Sequence, residues 1–233
     1  MPLGKQEIFE ALKNAAYKVS AENFFLTEDL DSPIYPESLV QIEAAKSLKS
    51  MLPYSVVKLE FAVSDIEKLL GAGITGQTDR TNGYADITFF HDGFPQAVVE
   101  VKDEINGTDD GLIKDAERIQ QLLDIENSKF EKKLLQFGAL IFYVGKNSQG
   151  YKVARQTEDK IEMFVDRTIN STKENIENVV DKNQFSIEFM DGRCIDSIKK
   201  TGSSDPYIGT EDEQPLTGQE QMTKYVVAII QRK

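Results

Sequence analysis

An α/β protein with a mixed central β-sheet flanked by helices is predicted by three observations. Apolar residues recur at helical spacing in several stretches, others alternate with a period of two, and Asp92-Gly93 supplies a turn between two such strands. The chain has 233 residues, 40% hydrophobic and 28% charged, which is the balance of a globular protein and enough chain for one large core. From residue 38 to 145 the predicted order is helix, strand, a short helical insert, strand, strand, helix, strand.

Ile8, Phe9, Leu12, Ala16 and Val19 share one helical face, and Leu39, Val40, Ala44, Leu48, Met51 and Leu52 another. Pro36 stands where a first helical turn tolerates it. Val57, Leu59 and Phe61 alternate with Lys58 and Glu60, the period of a half-buried strand. Ser64 and Glu67 have capping-box spacing ahead of Leu69 and Leu70 and predict a short helix. Residues 71–83 are glycine-rich and polar, hence loop. Their Gly71-Ala72-Gly73-Ile74-Thr75-Gly76 follows a helix rather than a strand, so a dinucleotide site is not expected.

Residues 84–90 and 96–102 read as the strands of a hairpin, because Asp92 and Gly93 tolerate the positive φ of a tight turn. Residues 108–111 offer caps for a helix whose Leu112, Ile113, Ala116, Ile119, Leu122 and Leu123 form one apolar face. Residues 139–144 follow as a buried strand. Further on, 158–169 are expected to be helical, 185–189 and 225–230 to be strands, and the polar stretch 203–221 to be a mobile connection. The organisation is then an N-terminal helical extension over 1–35, a core over 36–150, an α/β elaboration over 151–200, and an acidic segment with a terminal strand over 201–233.

Twenty-seven basic against thirty-nine acidic residues give a net charge of −12, which excludes a generally cationic protein that coats nucleic acid. Residues 201–220 hold Asp205, Glu211, Asp212, Glu213 and Glu220 and no Lys or Arg, so any anionic partner must be met elsewhere and locally. Cys194 is the single cysteine, which rules out an intrachain disulfide and a zinc site of paired cysteines and suits a reducing cytoplasm. No apolar run has the length of a signal segment or a membrane span, so export and membrane insertion are not expected.

The hairpin carries the chemistry. In its second strand Glu100 and Lys102 point to one face while Val99 and Val101 point to the other; in its first, Asp86 lies opposite the apolar side of Ala85, Ile87 and Phe89. A plain two-residue turn over Asp92 and Gly93 sets Asp86 against Val99, so meeting Glu100 requires an odd loop or a bulge. Two carboxylates and an ammonium group brought together suit metal-assisted phosphodiester hydrolysis. Hard oxygen ligands hold Mg²⁺ or Mn²⁺, and the lysine supplies charge to the phosphate or acts on the attacking water. The carbonyl of Val101 offers a further oxygen ligand. Arg80, on the glycine-rich loop, and Lys114 and Arg118, which share a helix stripe with Gln121, are candidate phosphate contacts, a solvated face being the plainer reading of that stripe. His91 precedes the turn and is not expected to be catalytic.

Asp86, thirteen intervening residues, then Glu100-Val101-Lys102 resembles the signature of the PD-(D/E)XK nuclease superfamily. More narrowly, Gly83-Tyr84-Ala85-Asp86-Ile87 and Ala97-Val98-Val99-Glu100-Val101-Lys102 are similar to the nuclease domain at the start of type I restriction-enzyme motor subunits. A complete motor is not expected, because the chain lacks a G-x-x-x-x-G-K-[ST] loop and the length to hold a helicase. The resemblance implies a restriction-endonuclease-like core of helix, three strands, helix and strand, and a divalent-metal-dependent activity on DNA. Asp86 and Glu100 would ligate the metal and Lys102 would position or activate water. It also implies an acid from the first core helix, for which Glu43 is the candidate and Glu37 and Glu60 compete. A glutamine on the helix after the lysine strand is implied as well, Gln120 or Gln121, with Gln121 favoured. Two-strand cleavage by a one-site nuclease implies a homodimer or a partner subunit, as in a defence complex, though no segment announces an interface. The rival reading is a protein that keeps the nuclease scaffold without turnover and serves as a binding or assembly subunit.

Overall fold

Apolar side chains on both faces of one sheet decide the architecture, since each face must be covered by helices. The computed structural model describes residues 4–27, 37–71, 83–105, 109–125, 134–147, 158–194 and 221–233. In chain order these form α1 (Lys5–Thr27), α2 (Glu37–Met51), β1 (Val56–Ala62), α3 (Val63–Leu70), β2 (Tyr84–His91), β3 (Phe94–Ile105), α4 (Asp110–Asp124), β4 (Phe137–Asn147), α5 (Glu158–Val179), β5 (Phe185–Arg193) and β6 (Gln221–Arg232). The expected order between 38 and 145 is the observed one. Among the described residues no helix is long and apolar enough to cross a membrane.

The strands make a single mixed sheet in the order β1-β2-β3-β4-β6-β5. Only β3 and β4 run parallel, and α4 is the crossover that a parallel pair requires; the other neighbours are antiparallel. On one face Ile87, Phe89, Val99, Ile141, Val227 and Ile229 pack with α1 and α2. On the other, Val98, Leu140, Phe142, Val226, Ala228 and Ile230 pack with α3, α4 and α5. Central strands buried on both faces explain the near-continuous apolar runs of β4 and β6. The segments read as an N-terminal extension and C-terminal elaborations therefore belong to the same two layers: α1 lies against α2, and β6 is inserted between β4 and β5.

Several boundaries differ from the sequence reading, each for a local reason. The helix assigned a capping box at Ser64 starts at Val63 instead, capped by Ala62 with no side-chain hydrogen bond, while the Val63 N–H donates to the Gly83 carbonyl. Gly71 ends that helix in the left-handed region at φ 91°, a C-terminal role; residues 72–82 of the glycine-rich loop lie outside the described residues. Helix α5 runs ten residues past the predicted 169, to Val179. Residues 203–220 of the acidic connection lie outside the described residues, its last residue, Gln221, begins β6, and β6 extends to Arg232 beyond the apolar 225–230 because β4 and β5 pair with it along this length.

Candidate functional site

The hairpin turn has two residues, and Asp92 (φ 50°) and Gly93 (φ 81°) take the positive φ that a primed turn demands. That turn alone would misalign the two acids. The register runs His91 to Phe94 and Phe90 to Pro95, then shifts so that Phe89 meets Ala97 and Ile87 meets Val99. Gln96 is the extra residue of this bulge, and the shifted register carries Asp86 to the position opposite Glu100. The ladder pairing of β2 with β3 runs to Ile87, and beyond it the Val101 N–H donates to Asp86 Oδ2 at 2.6 Å. The carboxylate thus takes a main-chain donor at the point where the two strands part.

Two further irregularities border the site. β3 shifts register against β4 between Val101 and Glu104, next to Lys102, and β1 places Glu60 at φ 47° opposite Asp86. Bulges re-aim side chains, and here they act on the residues that carry charge.

Glu100 is 2% exposed and lies 2.7 Å from the Arg118 guanidinium, Oε1 to Nη2. The same Nη2 donates to Asp115 Oδ1 at 3.0 Å, and Asp115 Oδ2 is 3.1 Å from Lys102 Nζ. One buried carboxylate on α4 therefore links both cations and ties α4 to β3. Burial pushes the Glu100 carboxyl well above its ordinary value; Arg118 opposes this, while Asp86 and Asp115 add to it. Asp86 is raised for the same first reason, burial, against the Val101 N–H and Lys102. Burial pulls Lys102 down, but Asp115, Glu37 and Asp86 outweigh it and raise the ammonium.

Of the two acids on α2, Glu37 rather than Glu43 is the one whose charge reaches Lys102 and Asp86. Glu37 occupies the first turn of α2, and burial raises its carboxyl, with Lys102 lowering it and Asp86, Asp103 and Asp115 raising it further. Glu43 lies six residues on, about 9 Å along the axis at 1.5 Å per residue. Its buried carboxylate pairs with Lys46 and, at 3.8 Å, with Lys18 of α1. Glu60 stays exposed, though its charge reaches Asp86.

Lys114, Arg118 and Gln121 do not form one solvated stripe. Arg118 is 7% exposed and turned inward onto Glu100 and Asp115, whereas Lys114 is exposed. Gln121 is half-buried, and Gln120 accepts the Asp181 N–H at 2.6 Å, which fastens α4 to the turn after α5. Arg80 lies outside the described residues. Val101 contributes its N–H to Asp86, and its side chain is buried on the face of α1 and α2. His91 Nε2 sits 3.5 Å from Asp92 Oδ2 at the turn, away from this constellation in register.

Asp115 is the residue that sequence reasoning passed over. Its signal was present: Leu112, Asp115, Ala116 and Ile119 fall on one helical face, so a carboxylate stands in an apolar stripe. A buried charge at such a position calls for a partner.

Arg118 thus touches Glu100 and Asp115, Lys102 touches Asp115 and acts electrostatically on Glu37 and Asp86, and burial leaves the acids on the hairpin under-compensated. Oxygen donors of this kind fit a hard divalent cation, which one or two carboxylates with carbonyl and solvent oxygens can hold. Among the described residues, no group of three or more Asp, Glu, His or Cys side chains is arranged to hold a metal ion. No family model matches this chain, and no curated protein or solved structure matches it.

Proposed function

We propose that the chain is a divalent-metal-dependent nuclease that hydrolyses DNA phosphodiester bonds, of the PD-(D/E)XK kind that its hairpin resembles. The observation that supports this most is the bulge at Gln96, which turns Asp86 to face Glu100 with Lys102 on the same side of the strand. The order helix, strand, strand, strand, helix, strand around it, set aside α3, agrees with that resemblance. Asp86 and Glu100 would hold Mg²⁺ or Mn²⁺, with the Val101 carbonyl as a further donor. Such an ion polarises a phosphoryl oxygen and makes bound water more acidic. Lys102, raised by its acidic neighbours, is an ammonium at neutral pH and suits neutralising phosphate charge better than taking a proton.

With a net charge of −12, the chain would meet DNA through a local cationic surface rather than its overall field. The setting we infer is cytoplasmic, as a homodimer or a partner subunit of a defence complex. The expected result for Lys102→Ala and for Asp86→Ala is a loss of about 100-fold or more in Mg²⁺- or Mn²⁺-dependent DNA cleavage, read on a labelled duplex. Unchanged rates in both variants would dismiss the reading.

A second reading, a nuclease scaffold without turnover that serves binding or assembly, draws on one observation. Arg118 already sits on Glu100 and Lys102 on Asp115, so the acids have internal partners. Calorimetry separates the two: the nuclease binds Mn²⁺ through Asp86 and Glu100, and the scaffold has no such site.

A further inference from the structure

Arg118 is a costly residue to bury. The residue is 7% exposed, and among the described residues its Nε has no acceptor. Glu100 Oε1, although 2.7 Å from Nη2, is not aligned with it as a hydrogen bond and has no other partner among the described residues. A planar guanidinium normally meets a carboxylate through two parallel bonds; here a single nitrogen is divided between Glu100 and Asp115. The contact balances charge without satisfying the groups that make it. An isolated buried carboxylate is expensive, so the folded chain without a metal needs some cation at this point. Arg118 supplies it, through the same nitrogen that donates to Asp115.

Resting on the nuclease reading above, we propose that Arg118 is an internal counter-cation that competes with the divalent ion for Glu100, so that metal binding requires its guanidinium to leave that carboxylate. Asp115 is the positioning residue in this exchange. It accepts from Arg118 and lies 3.1 Å from Lys102, so it retains the guanidinium on α4 when Glu100 is taken. The chain then trades one cation for another at Glu100 instead of exposing a bare charge.

The test uses the full chain and Mn²⁺, with affinity read by calorimetry and free Mn²⁺ by paramagnetic resonance, and thermal unfolding followed with chelator and at saturating Mn²⁺. Arg118→Met, which keeps the stem and removes the charge, is expected to bind Mn²⁺ about tenfold more tightly, the low end of what one close charge pair is worth. It should also melt lower than wild type in chelator and gain more from Mn²⁺. Arg118→Lys, which keeps the charge but loses the fork, should shift affinity in the same direction by less, and stands in if the methionine variant does not fold. Wild-type binding that depends on Glu100, with no gain in either variant, overturns the competition and leaves the nuclease reading intact. No Mn²⁺ binding by wild type or variants overturns both.

Discussion

Glu100 is a buried carboxyl whose charged form its surroundings compensate only in part. Burial raises its carboxyl well above the ordinary Glu value of 4.5, and Arg118 does not bring it back. As pH climbs past the unfolded value, the unfolded chain loses this proton first, while the folded chain still retains it. The folded state then binds more protons, so the contribution of Glu100 to stability falls with rising pH until the folded value is passed. Glu100→Gln has no proton to lose, and in chelator its stability should drop less than wild type between about pH 5 and about pH 7. Urea denaturation at the two pH values checks this; equal slopes in the two proteins would sink it. At this scale the sequence was partly legible. Alternation put Glu100 and Lys102 on one face, and counting from the turn showed that Asp86 joins them only through a bulge. Glu37, Asp115 and Arg118 join them through contacts between α2, α4 and β3, and such partners have no fixed spacing in a chain.

Elements were more legible than their ends, because an apolar period survives where a boundary depends on one or two hydrogen bonds. The start of α4 shows the rule working: residues 108–111 were expected to cap it, and Asp109 accepts the Leu112 N–H at 2.9 Å. Asp109→Ala removes that acceptor and should cost about 1 kcal/mol, with Asp109→Asn close to wild type, in equilibrium denaturation. The start of α3 shows it failing, since Ser64 has the right spacing but the helix has begun by Val63, where the chain already donates to Gly83. The hairpin is the most informative element. Asp92-Gly93 dictates a two-residue turn, and the demand for a bulge followed from counting alone. That the extra residue is Gln96 was not legible, because nothing in a Phe-Pro-Gln-Ala run marks which position leaves the ladder.

The two helical layers are joined through a sheet with little room to spare. A Cβ at Gly138 would stand 1.9 Å from Ile119 Cγ2, so α4 rests directly on the backbone of β4. Gly138→Ala should therefore lower stability by about 1–3 kcal/mol, and Ile119→Ala, which removes that methyl, should relieve much of the added penalty in a double-mutant cycle. Additive losses would show that α4 docks elsewhere. The same docking carries Asp115 and Arg118 to β3, so core and candidate site share one interface. By itself the sequence determined the α/β class, the order of elements and the hairpin with its acidic face, because these rest on periodicity and turn chemistry between near neighbours. Tertiary structure alone decided that β6 enters the sheet between β4 and β5. It also decided that Glu43 looks toward α1 and that Arg118 turns inward onto Glu100. Those outcomes depend on which buried charge finds which partner across the layers, and that choice is made by packing between segments far apart in the chain.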